Sequence, residues 1–133
     1  MKLLRRIVLY IAAIVLIIGF IILFIYIKGV LDYKQSVKEI TLDDINISDV
    51  ADGVYVGECD VNFIYVKVKV TVQGGKISSI NILEHKNGHG KPAEAVINEI
   101  IDEQMIDVDA ITGATNSSTV IKKAVENAIT KGL

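Results

Sequence analysis

The sequence is poor in the residues that make covalent staples and nucleophilic triads: its 133 residues include one cysteine, one proline and two histidines. A single cysteine excludes an internal disulfide, so Cys59 reads as a small buried residue. Both histidines fall in one short stretch, His85-Lys86-Asn87-Gly88-His89-Gly90, which provides no base held against a separate nucleophile and argues against a hydrolase. Their spacing of four would suit a metal pair on a helix, but Gly88 and Gly90 oppose helix formation there, and no metal is expected. Acidic residues are missing before Asp32. All 16 lie from there on, against ten of the 14 basic residues, so the remainder carries a net charge of −6. An acidic domain without a basic run lacks the electrostatic footprint that phosphate neutralisation requires, and no nucleic acid is expected as a partner.

What the chain has in abundance is apolar length near its start. Ile7 to Ile27 is an uncharged run of 21 residues, and a helix needs about 20 to cross a bilayer. A cleaved secretory signal would have an apolar region of about 7–15 residues and small residues at the cleavage site. This run is longer, and Leu23-Phe24-Ile25-Tyr26-Ile27-Lys28 offers no such site. Cys59 lies too far downstream for lipoprotein processing. An uncleaved anchor is therefore expected over residues 1–28, with a linker over 29–50 and one domain over 51–133. Lys2, Arg5 and Arg6 precede the span and Lys28, Lys34 and Lys38 follow it. The count is tied, but the first three sit closer to the span and free of interleaved acid, which favours a cytoplasmic amino terminus and an extracytoplasmic domain.

Within the domain, Asp52-Gly53 marks a turn and Gly53-Val54-Tyr55-Val56-Gly57-Glu58 reads as a first strand. Val66, Val68, Val70 and Val72 then alternate with Tyr65, Lys67, Lys69 and Thr71, the pattern of a half-buried strand. Gly74-Gly75 joins it by a tight hairpin to Lys76–Glu84, where Ser78-Ser79 breaks the alternation. A bulge at that pair would return Ile80 and Ile82 to the core face. After a loop over 85–90, Pro92 opens a helix whose apolar face is Ala93, Val96, Ile97, Ile100, Ile101 and Met105. Glu94, Asn98, Glu99, Asp102 and Glu103 are expected on its solvated side. A closing helix repeats the logic with Val120, Ile121, Ala124, Val125, Ala128 and Ile129 and ends at Gly132. The expected fold class is α+β: one amino-terminal transmembrane helix, then a small antiparallel sheet covered by two helices.

Between the helices, Asp107-Val108-Asp109-Ala110-Ile111-Thr112-Gly113-Ala114-Thr115-Asn116-Ser117-Ser118 is a loop of small and hydroxylated residues running into a helix amino terminus. Free first-turn N–H groups and the positive end of the helix dipole attract a phosphate without a lysine or arginine. Gly113 and Ala114 leave room for a bulky ligand. The competing reading makes Thr112, Thr115, Ser117 and Ser118 ordinary helix caps, and chemistry alone favours it.

Asp109-Ala110-Ile111-Thr112-Gly113-Ala114-Thr115 resembles the D-x-x-[ST]-G-A-T motif of FMN-binding domain proteins, a family that includes the flavin-carrying subunits of sodium-pumping and Rnf-type electron-transfer complexes. The resemblance runs over residues 51–131, from Asp52-Gly53-Val54-Tyr55 and Gly57 through Leu83-Glu84-His85 to the closing helix. It implies FMN as cofactor and an FAD-dependent flavin transferase that links it by a phosphoester to the last motif threonine, Thr115. It further implies that Asp109 aids that reaction or shapes the loop, and that Thr112, Gly113 and Ala114 define the acceptor; Asn116, Ser117 and Ser118, from the helix start itself, complete the candidate cofactor-binding set. Larger members have a longer glycine- and proline-containing loop after the third strand. Here the compact 85–90 stretch either flanks the isoalloxazine ring, through His85, Lys86, Asn87 or backbone N–H groups, or is a solvated turn. Tyr55 and Tyr65 read as packing residues. The expected function is that of a membrane-anchored electron carrier between membrane and extracytoplasmic redox partners. The alternative is a noncovalent flavin-binding or sensory module.

Overall fold

The computed structural model describes residues 1–88 and 90–133; His89, and with it the His85/His89 pair, lies outside them. Two compact units are present, Met1–Asp32 and Tyr33–Leu133. The first is helical, part of α1 (Lys2–Glu39), with its apolar side chains exposed along the whole length. It is long and apolar enough to cross a membrane, with a mean hydropathy of 3.3 over its best window. At 1.5 Å per residue the uncharged run is about 31 Å long, matching a hydrocarbon core of about 30 Å.

The second unit contains the last turns of α1, where Val37 is buried, and a 3-10 turn at Ile47–Asp49 that buries Ile47. Val50 joins the same core, and the stretch between is hydrogen-bonded to the domain: Asp43 donates its backbone N–H to Glu126 (3.0 Å), and Lys123 donates to the Thr41 carbonyl (3.0 Å).

Three strands form an antiparallel meander in the order β1 (Gly53–Asp60), β2 (Tyr65–Gln73), β3 (Lys76–Lys86). Alternation does what it promises in β2, where Val66, Val68, Val70 and Val72 are at most 1 % exposed. Gly74 and Gly75 both have positive φ, +62° and +72°, as a two-residue turn matched to strand twist demands. The register slips at Ser78, since Thr71 pairs with Ser79 and Val72 with Ile77, and this bulge keeps Ile77 and Ile80 in the core. A second slip, not foreseen, skips Leu83, which is left 51 % exposed. Beyond it β3 continues through His85 and Lys86, so these two residues are strand rather than loop. Cross-strand partners share a face, and His85 pairs with Val66, which places it on the helix-covered side.

The second helix differs from its expected extent. Lys91–Ala95 is a 3-10 turn, α2 proper is Val96–Glu103, and Gln104 ends it in the left-handed conformation with φ +52°. Met105 is outside the helix and 46 % exposed, although Ala93, Val96 and Ile100 are fully buried as their spacing suggests. The stop has a visible cause. The Gln104 amide accepts from Ile77 N–H (2.7 Å) and donates to the Ile77 and Ile101 carbonyls (2.8 and 2.7 Å), so it serves as one rung of hydrogen bonding along the outer edge of β3.

α3 (Thr115–Ile129) lies across β1 and β2 with Val120, Ile121, Ala124, Val125, Ala128 and Ile129 wholly buried. Its close seat on β1 depends on Gly57, where an added Cβ would stand 2.2 Å from the Ala124 carbonyl oxygen. A last 3-10 turn, Thr130–Gly132, brings Gly132 against the Tyr55 ring. On the outer edge of β1, Asn127 donates to the Glu58 carbonyl (2.9 Å) and Lys131 to that of Val56. The sheet face away from the helices is polar. There Tyr65 donates to Glu58 (2.8 Å), and that hydrogen bond, followed by slight desolvation and nearby carboxylates, pushes the phenol up to about 12.

Candidate functional site

The Asp107–Ser118 loop leaves α2, turns twice and enters α3. The second turn is Ile111-Thr112-Gly113-Ala114, closed by Ala114 N–H to the Ile111 carbonyl (2.9 Å), with Gly113 at its third position and φ +81°. A turn that needs positive φ there accepts glycine without strain. No atom lies within 4 Å of where a Gly113 Cβ would be, so conformation and not crowding requires glycine.

Two buried polar side chains on α3 hold this loop. Ser118, fully buried, accepts from Ile111 N–H (3.0 Å) and donates to the Ala114 carbonyl (2.8 Å). Lys122, 7 % exposed, donates to Asp107 (3.1 Å) and to the Val108 carbonyl (2.8 Å). Sequence reading missed Lys122, because a lysine amid the apolar positions of α3 carries no local mark of a partner fifteen residues earlier.

The helix end these contacts fix has no side-chain cap. The residue preceding Thr115 is Ala114, which has no hydroxyl or amide to offer the first-turn N–H groups. Ser118, Ser117, Thr115 and Thr112 do not fill the role either. Ser118 is committed to the turn, and Ser117 is buried against Gly90, where an added Cβ would lie 1.9 Å from the Ser117 hydroxyl. Thr112 and Thr115 are exposed, and neither hydroxyl makes a hydrogen bond among the described residues. Asn116 is half-buried and Asp109 exposed. The loop thus presents an open positive helix end beside two solvent-facing hydroxyls, with no acidic residue in the first turn to oppose an anion.

The 85–90 stretch reaches this end through Gly90 and Ser117. Asn87 turns its amide inward, accepting from Gly90 N–H (3.1 Å) and donating to the His85 carbonyl (3.3 Å). His85 is only 2 % exposed in its side chain and binds Glu94 through Nδ1 at 2.9 Å. Glu94 also meets Lys91 at 2.9 Å, so it is an ion-paired residue and not the merely solvated one expected. Burial alone would raise its carboxyl, but hydrogen bonds from His85 and Lys91 outweigh that and hold it below its ordinary value. Asn98, Glu99, Asp102 and Glu103 are exposed as anticipated.

A half-polar cleft of about 490 Å³ lies elsewhere, lined in part by Glu58, Cys59, Asp60, Lys123 and Asn127. Lys123 is eight residues beyond Thr115, about 12 Å along the helix axis. Cys59 is half-buried there, and burial pushes its thiol up, which suits packing and not reactivity.

The sequence model of the FMN-binding domain family matches residues 63–130, just over half of the chain and all of the segment from the start of β2 through α3. No curated protein and no solved structure matches the chain. An uncapped helix terminus, open space at Gly113 and a buried imidazole with one ring nitrogen unpartnered among the described residues are features that an anionic, ring-bearing cofactor can use.

Proposed function

Because the chain belongs to the FMN-binding domain family, whose cofactor is FMN, we propose that it is a membrane-anchored electron carrier with FMN linked to Thr115 by a phosphoester. The observation that carries the reading is the first turn of α3. Thr115 is its first residue, exposed, with a hydroxyl free of partners among the described residues and adjacent N–H groups not capped by any side chain. Those groups would hold the phosphate, and the turn pinned by Ser118, on a loop whose start Lys122 holds, would keep the acceptor in one place. In the attachment step a transferase directs the Thr115 oxygen to the flavin-side phosphorus of FAD. The new P–O bond replaces the bond to the other phosphate, AMP leaves, and the hydroxyl proton passes to the transferase or to water. Bound flavin supplies one- and two-electron chemistry, which the protein positions. Electrons come from a membrane-borne redox protein, which is oxidised, and go to an extracytoplasmic one, which is reduced. α1 supports the anchor by its length and composition, and the basic residues ahead of the span favour an outside domain.

The test is Thr115→Ala co-expressed with a flavin transferase. Flavin fluorescence should vanish from the denatured protein band while Thr112→Ala keeps it, and the wild-type phosphoester should map to the peptide containing Thr115. Since no hydroxyl caps α3, loss of this one should leave the fold in place. Covalent flavin on Thr115→Ala would sink the assignment. Reversible binding alone in the wild type would favour a sensory module.

A further inference from the structure

His85 has one ring nitrogen accounted for and one not. Nδ1 is 2.9 Å from Glu94, whereas Nε2 is buried without a partner among the described residues. Glu94 is held as a carboxylate, which only accepts hydrogen bonds, so Nδ1 carries a proton and Nε2 is the atom left to interact. Buried polar atoms are nearly always satisfied, and one that is not calls for a partner.

The place of this nitrogen in the fold narrows the partner. α3 runs antiparallel to β1, its Gly132 end at Tyr55 and Ala128 over Gly57, so its amino terminus reaches the end of the sheet where β2 begins and β3 finishes. His85 is on the helix-covered face at that same end. The 3-10 turn that carries Glu94 packs on α3, and Gly90 abuts Ser117 in its first turn. The charged groups on the ring's side are Glu94 and Lys91 on the 3-10 turn, while Glu84 and Lys86, next to it on its own strand, are exposed on the opposite face. The first turn of α3 has no charged side chain, and β2 contributes Val66.

We propose that His85 is an anion ligand of the flavin site, its Nε2–H donating to a phosphate oxygen of FMN. This rests on the flavin reading of Thr115. The imidazole then bridges two anions, donating one N–H to the Glu94 carboxylate from Nδ1 and the other to the phosphate from Nε2. With Lys91 already paired to Glu94, protonated His85 gives the cluster a net charge of +1 toward the phosphate. It supplies the side-chain cation that the α3 terminus lacks, and Lys122 cannot, being committed to Asp107 and Val108.

The experiment uses full-length His89→Gln protein in detergent micelles, in which His85 is the only imidazole, and long-range ¹H–¹⁵N spectra with FMN, riboflavin or inorganic phosphate. At fixed pH, FMN and phosphate should move the Nε2 resonance to its protonated position, while riboflavin should not. His85→Leu should reduce the preference for FMN over riboflavin about tenfold or more, the effect of losing one charge-assisted hydrogen bond, and His85→Gln should restore part of it. Flavin on Thr115 with an unmoved Nε2 would overturn this proposal and leave the attachment intact. A response to riboflavin but not phosphate would overturn it too, placing His85 against the ring. A response to phosphate in protein that binds no flavin would support the anion site while removing the reading on which it rests.

Discussion

At its carboxyl end α3 meets β1 backbone against backbone, with Gly57 beneath Ala124 and Ala128 and Gly132 against the Tyr55 ring. At its amino end the same helix is tied down by polar side chains: Ser118 to Ile111 and Ala114, Lys122 to Asp107 and Val108, and the His85–Glu94 pair beside it. Close packing leaves no room for variation, and it places the helix. Buried hydrogen bonds set the course of a loop and still leave its N–H groups and hydroxyls facing outward. A site that must receive a ligand is therefore built at the polar end.

The contrast breaks most readily at Gly57. Gly57→Ala would drive a methyl to 2.2 Å from the Ala124 carbonyl oxygen, and overpacking of this severity should cost about 3 kcal/mol or more. Urea denaturation of the domain, followed by far-UV circular dichroism, should show an early or absent transition. Stability near that of the wild type would mean that the helix can ride higher on the sheet than described.

Ser118→Ala tests the other end. It strands the Ile111 N–H, at a cost of about 1–3 kcal/mol, and should slow flavin loading by more than its effect on stability would suggest. If loading is unchanged, the turn does not need its tie. Gly113→Ala comes next, because its position has space but φ +81°, a strain of about 1–2 kcal/mol for a residue with a Cβ. Neither variant should be rescued by smaller neighbouring side chains, since the methyl added at Gly57 meets backbone atoms of α3 and Gly113 is a matter of φ.

The smallest effect is that of acid on Glu94. Its folded-state carboxyl is held below the ordinary 4.5, so it stabilises the fold above that value and loses the contribution as pH falls through its own lower value. Glu94→Gln should flatten the fall in stability below pH 4.5, measured by urea titration at stepped pH. An identical slope in the two proteins would show that the pair contributes nothing.

The apolar end was legible from periodicity, and the polar end was not. Val66, Val68, Val70 and Val72 announce their strand, the α3 face is correct at every position, and Ser78-Ser79 betrays its bulge by breaking a pattern. The second bulge at Leu83 leaves no such mark. Past it the core-facing residue is His85, which is not apolar, so the sequence pattern ends the strand two residues early. Met105 fits a helical face by spacing, but Gln104 leaves the helix to bond Ile77, a partner 27 residues away. The motif itself was visible as a string of residues. Its supports, Lys122 and the Glu94 pair, depend on contacts between distant segments and could be found only in three dimensions.

The side chains along the two borders of the sheet bear on colloidal behaviour. A three-stranded meander has two unpaired borders, and such borders are templates for strand addition and fibril growth. Here Asn127 and Lys131 occupy carbonyls of β1, and Gln104 occupies both backbone groups of Ile77 in β3. A second copy that tried to extend the sheet would first have to displace these internal partners. For a chain held in a membrane by α1, as proposed above, confinement to two dimensions would raise the local density at which that protection matters.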